Sequence, residues 1–279
     1  MEPNLNKARV LIVVKTYPLP SRTYDELVCT AGLLNGKEWV RIYPVPFRGM
    51  AYEQRFKKWE WIELDLEKPP PGRDQRPESY RPRRGIDEPI TVLGPLEPMG
   101  KSEWAAKRSV LLPHSQDSFE ALLDQKNRRG TSLGVIKPRT VFGVSVTKEP
   151  ERWTEAQQQQ FFEFVPPSER RDTVKPAKPV PYRFHFAFDT SDGVRHNLAI
   201  EDWEIGILYW HSLDSVDGDE RAACELVKTK LNWMVAERDL YLIVGTTWRN
   251  HHRAENPFTI TGLFYPPQLD PPGQLGLFS

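Results

Sequence analysis

Twenty-six prolines decide where this chain can form regular structure. They bunch in PPPGRDQRPESYRPRRGIDEP (69–89), again over 166–181, and in YPPQLDPP (265–272). Proline has no N–H to donate and a fixed φ, so helix interiors and central strands exclude it. Regular elements must fit into the windows between these stretches. Glycine usage is ordinary, so the prolines mark connections in a folded protein and not a collagen-like or low-complexity chain.

The windows carry clear periodicities. RVLIVVK (9–15) is an unbroken apolar run, the pattern of a central strand. EWVRIYPV (38–45) follows the turn residues Asn35-Gly36 and WEWIELDL (59–66) alternates, so both read as strands. Residues 21–32 fit either a short helix or a strand. EPITVL (88–93) and VFGVSVT (141–147) are further strands, and SQDSFEALLDQKNRRG (115–130) is a helix with a serine cap and a glycine stop. The Pro- and Gln-rich stretch 149–181 reads as a crossing segment with a short helix near 153–160. YRFHFAF (182–188) has period two and forms a hairpin with VRHNLAI (194–200). Helices over 201–212 and 219–238 and strands over 239–246 and 258–266 complete the pattern. The fold class expected is α+β. A β-rich lobe, a small barrel or twisted sheet, spans 1–148; an α+β lobe spans 182–267; a tail spans 268–279.

The 38 basic and 38 acidic residues cancel, which excludes a polybasic nucleic-acid coat or an acidic tail protein. The balance is uneven along the chain. Residues 1–148 hold 25 basic against 18 acidic, and the remainder holds 13 against 20. Arg73, Arg76, Arg81, Arg83 and Arg84 share a loop with Tyr80, while Lys126, Arg128 and Arg129 flank a glycine turn. Guanidinium groups for phosphates and a ring for stacking suit nucleic acid, and these residues are the candidate contacts. Lys15, Thr16 and Tyr17, leaving the first strand, are a weaker phosphate-binding set. Two cysteines, Cys29 and Cys224, build neither a disulfide framework nor a thiolate zinc site and read as buried thiols. No apolar run reaches membrane length and the N-terminus lacks a leader pattern, so a cytoplasmic protein is expected.

HExxH, paired CxxC, GxxxxGK[ST] and GxSxG patterns are all missing. A weaker constellation remains: His196, Asp202, Glu204 and His251. Two carboxylates and two imidazoles could hold a divalent cation and activate water, as a nuclease or nucleotide hydrolase requires. The same acids would equally serve as caps at a helix start. Without that metal no cofactor is expected, and whether the protein is an enzyme stays open.

The tail ends in Gln274-Leu275-Gly276-Leu277-Phe278 behind a proline-stiffened spacer. This string resembles the QLxLF peptide by which bacterial polymerases and repair proteins dock on the DNA sliding clamp. The resemblance implies a polar subsite for Gln274 and an apolar cleft for Leu275, Leu277 and Phe278. It implies a bacterial DNA-associated factor in repair, mobile-element or defence work, with the clamp, nucleic acid and further subunits of such a complex as partners. The competing expectation is that these apolar residues pack back as a terminal strand. The body is similar to an uncharacterised prokaryotic protein family, through KTYPLPSRTYDELVCTAG, EWVRIYPVPFR, SLGVIKP, IEDWEIGILYW and VGTTWRNHHRAENPFTITGLFYPP. That likeness brings no activity and no catalytic residue.

Overall fold

The computed structural model describes residues 3–17, 28–45, 47, 50, 52–149, 179–246, 251 and 255–269. The fold is α+β, as expected. Six strands form the first sheet: β1 (Asn4–Lys15), β2 (Val28–Leu34), β3 (Glu38–Val45), β4 (Glu60–Glu67), β5 (Ser79–Pro82) and β6 (Thr91–Pro95). Their order is β1-β2-β3-β5-β4-β6, and β1 also pairs with β4. The first five therefore close into a barrel, with β3 and β5 as its parallel pair and β6 added outside β4. Closure removes the open edges that a flat sheet would present.

The unbroken apolar run of β1 has a physical cause: both of its faces are covered. Ala8, Val10 and Ile12 point into the barrel with Val40, Ile42, Ile62 and Leu64. Leu11, Val13 and Val14 point outward with Ala31 of β2 and meet Leu133, Val135, Ile243 and Phe264 of a second sheet. The alternation in β4 has the complementary cause, since Ile62, Leu64 and Leu66 are buried and their neighbours are half-exposed. Helix α1 (Glu103–Leu111), which the sequence reading did not anticipate, contributes its buried Leu111 to this second contact.

The second sheet has the order β13-β12-β8-β7, using β7 (Ser115–Gln116), β8 (Leu133–Ile136), β12 (Tyr241–Thr246) and β13 (Phe258–Phe264). A third, β11-β10-β9, uses β9 (Thr140–Lys148), β10 (Tyr182–Asp189) and β11 (Arg195–Ala199). Helices α2 (Phe119–Arg129), α3 (Trp203–Ser215) and α4 (Glu220–Glu237) pack on them. Their shared core holds Phe184, Phe186 and Phe188 of β10, so the period-two aromatic face is buried as expected. The chain divides earlier than residue 148: β7 and β8 join the second sheet and β9 pairs with β10. Of residues 21–32, the described part is strand, and the helix expected near 153–160 lies outside the described residues.

Two joints fix the barrel to the rest. Arg41 of β3, only 3% exposed, donates from Nη1 to Cys29 Sγ at 2.9 Å and from Nη2 to Ser132 Oγ at 3.2 Å. Cys29 is thus half-buried, in contrast to the buried Cys224. Tyr17, just past β1, donates its N–H to Glu201 O at 2.9 Å, and its hydroxyl accepts from Trp210 Nε1 at 2.9 Å. Its ring packs against Gly206 of α3, where an added Cβ would stand 2.1 Å from Tyr17 Cδ2. Gly206→Ala is expected to lower unfolding free energy by about 1–3 kcal/mol, the usual cost of overpacking. Urea denaturation of the two proteins measures this, and an unchanged midpoint would refute the joint.

Candidate functional site

Lys15 ends β1 inside the protein, with 7% of its surface exposed. Its Nζ donates to Phe56 O at 3.1 Å and stands 4.1 Å from the Phe47 ring centre, 5.4 Å from that of Trp203 and 5.8 Å from that of Phe56. Directly opposite in register, Thr30 of β2 is fully buried and its Oγ1 has no hydrogen-bond partner among the described residues. An isolated bridge between Thr16 and Asp202 brings the start of α3 against this end of the barrel.

Asp202 is 2% exposed and caps α3, its Oδ1 accepting from Glu204 N at 2.7 Å. Its Oδ2 accepts from Leu263 N at 3.1 Å and from Lys58 Nζ at 2.6 Å. Lys58, from the segment before β4, also pairs with Glu204 at 3.2 Å. Burial alone would lower the Lys58 pKa, but the two facing carboxylates outweigh it and hold the ammonium above its ordinary value. Among the described residues Lys15 has no ion-pair partner, and the same carboxylates favour its ammonium only weakly. Burial first, and then the positive charge of Lys58, lower its pKa to about 8. Near neutral pH, Lys15 is thus the one of the two that exists partly as free amine. A cavity of about 270 Å³ opens beside the carboxylates, lined also by Leu208, Lys230, Leu263 and Tyr265.

Asp202 and Glu204 therefore come together, yet the expected four-residue centre does not form. His196 stacks on Phe119 with ring centres 4.5 Å apart, and its Nε2 lies 3.2 Å from Thr190 Oγ1. Burial lowers its pKa. His251 is buried with Nδ1 2.8 Å from Thr246 Oγ1. Thr246 pairs with Phe258, while Asp202 binds Leu263, five residues further along β13 and roughly 16 Å away. The carboxylates and His251 thus occupy opposite ends of one strand. Among the described residues no group of three or more His, Cys, Asp or Glu side chains is placed to hold a metal.

The nine candidate nucleic-acid contacts divide by environment. Arg76 is buried, bonded to Asp74 and, at 3.2 Å, to Thr246 Oγ1. Tyr80 is buried in the barrel with Lys68 Nζ 3.8 Å from its ring centre. Neither presents its side chain to solvent, and both are corrected to structural residues. Arg81 pairs with Glu67, Arg83 with Asp65 at 3.2 Å, Arg84 with Glu88 at 3.9 Å and Arg128 with Asp124 at 2.7 Å. Among the described residues, Arg73, Lys126 and Arg129 have no ion-pair partner. The C-terminus of α2 meets the arginine loop, since a Cβ at Gly130 would lie 3.3 Å from Pro77 Cδ. Gln274, Leu275, Leu277 and Phe278 lie outside the described residues.

Lys58 went unread in the sequence because KKW before a strand has no distinguishing pattern. Lys15 did carry a signal: a lysine closing a run buried on both faces is itself drawn inside. Asp202→Ala would remove a helix cap and leave Lys58 buried without its closest partner. It is expected to cost about 3–5 kcal/mol in denaturant unfolding, and Asp202→Asn, which keeps the cap acceptor, less. Equal stability of Asp202→Ala and the parent protein would remove the ion pair from its structural role.

Among the described residues no helix is long and apolar enough to cross a membrane. None of the curated proteins matches the chain. Two family models do: a domain of unknown function (DUF8758) over residues 6–113, and a second, DUF8757, over residues 114–279. Their boundary falls where the chain leaves α1 for β7, after the barrel is complete. The second model spans more than half of the chain, which therefore belongs to the DUF8757 family, and the first matches the stretch that forms the barrel.

Proposed function

We propose that this protein is a bacterial DNA-associated accessory factor, recruited to the sliding clamp by residues 274–278. Its N-terminal half and the end of α2 contact nucleic acid. The observation that carries the nucleic-acid part is the meeting of two basic stretches, distant in sequence, at Pro77 and Gly130. Among the described residues Arg73, Lys126 and Arg129 have no ion-pair partner, which leaves them available to a phosphate backbone. A five-stranded barrel is also the architecture of OB-type oligonucleotide binders, an analogy of fold alone. The outward face of β1 and β2 is occupied by the second sheet, so the contact falls to the arginine loop and α2. Recruitment rests on the QLGLF string and its proline spacer. Repair, mobile-element and defence settings all accommodate such a factor. A metal-dependent hydrolase gains no support from the site, because Asp202 and Glu204 are both engaged by Lys58.

Deletion of residues 274–279 is expected to abolish capture by purified clamp while leaving DNA affinity unchanged. Clamp binding that survives the deletion would sink the recruitment reading. Reversing Arg73 and Arg129 to Glu is expected to weaken DNA binding to a similar degree across sequences. The slope of log K against log salt should fall by about one for each lost phosphate contact. Fluorescence anisotropy over a salt series reads both, and an unaltered slope would place the contact elsewhere.

A further inference from the structure

Lys15 is a buried amine with little to hold it charged. It makes one hydrogen bond, to Phe56 O, and no ion pair among the described residues. Phe47, Phe56 and Trp203 surround it. The charged groups acting on it are Lys58, Glu204, Asp202 and Glu60. Asp202 and Glu204 are ion-paired to Lys58 and favour the Lys15 ammonium only through space, where burial and the charge of Lys58 outweigh them. A lysine desolvated by apolar walls and set beside a second cation is the arrangement that turns an amine into a nucleophile. Thr30 adds an independent sign. Its hydroxyl is buried, has no hydrogen-bond partner among the described residues and stands on the same barrel face, opposite Lys15. A buried hydroxyl is seldom left unmatched unless a ligand or water completes it.

We infer that Lys15 is an amine nucleophile that forms an imine with an aldehyde or ketone, with the Thr30 hydroxyl bonding the carbonyl oxygen. The Nζ lone pair attacks the carbonyl carbon and forms the C–N bond. The C=O π pair moves to oxygen, which gains a proton as nitrogen loses one. The carbinolamine then expels its hydroxyl with a proton as water, and the nitrogen lone pair closes C=N. Amine and carbonyl become imine and water with no oxidant or reductant. The aromatic walls select a substrate with a flat or apolar body. The carbonyl could belong to a free small molecule or to the ring-opened sugar of an abasic nucleotide. The inference stands apart from clamp recruitment.

Full-length protein is incubated with sodium cyanoborohydride and either benzaldehyde or an abasic oligonucleotide, and adducts are mapped by peptide mass spectrometry. One adduct per chain at Lys15 is expected, its rate rising as pH passes through about 8, where the amine loses its proton. Lys15→Arg and Lys15→Met should lose it, whereas Lys57→Arg, at an exposed lysine, should not. Adduct with benzaldehyde alone assigns a small-molecule carbonyl, and adduct with the oligonucleotide alone assigns DNA. Labelling spread over surface lysines with Lys15 unmodified in both arms overturns the inference. Mapping on the parent protein decides this even if a Lys15 variant fails to fold.

Discussion

The buried carboxylate of Asp202 joins parts of the chain that sequence keeps far apart. One oxygen caps α3; the other takes the N–H of Leu263 in β13 and the ammonium of Lys58 beside the barrel. Three donors around one carboxylate satisfy a charge that would otherwise be too costly to bury. Lys58 takes the ion pair with both carboxylates, and Lys15 is left desolvated beside a cation and among aromatic rings. The unusual amine is thus a by-product of the contact that holds the molecule together.

Much of the fold was legible from periodicity. The alternation in β4 and β10 and the acids at the start of α3 are local signals, and the elements follow them closely. The continuous run VLIVVK also foretold burial on two faces. Pairing between distant segments was not legible. Nothing in SLGVIKP states that Leu133 and Val135 will lie on a barrel strand more than a hundred residues upstream, and so the division of the chain was set too late.

The site was only partly readable for a related reason. Composition counts charges but does not pair them. Arg76 looks like its loop neighbours in sequence, yet it is bonded to Asp74 and Thr246 inside the seam. His196 is close to the acids by residue number and His251 needed two strand ends to meet, but the fold separates both from the carboxylates, and each histidine lies against a threonine instead. Asp202 and Glu204 do stand together, with a lysine between them where the alternative, hydrolase reading would have put a divalent cation.

The outward side of β1 carries Leu11, Val13 and Val14, all of them hidden only because the second sheet lies over them. Separated from residues 114–279, the barrel would show water a sticky stripe, and its partner would do the same through Leu133, Val135 and Ile243. Although two family models divide the chain, their matched ranges share this buried contact, so either one on its own would need another surface to shelter its stripe.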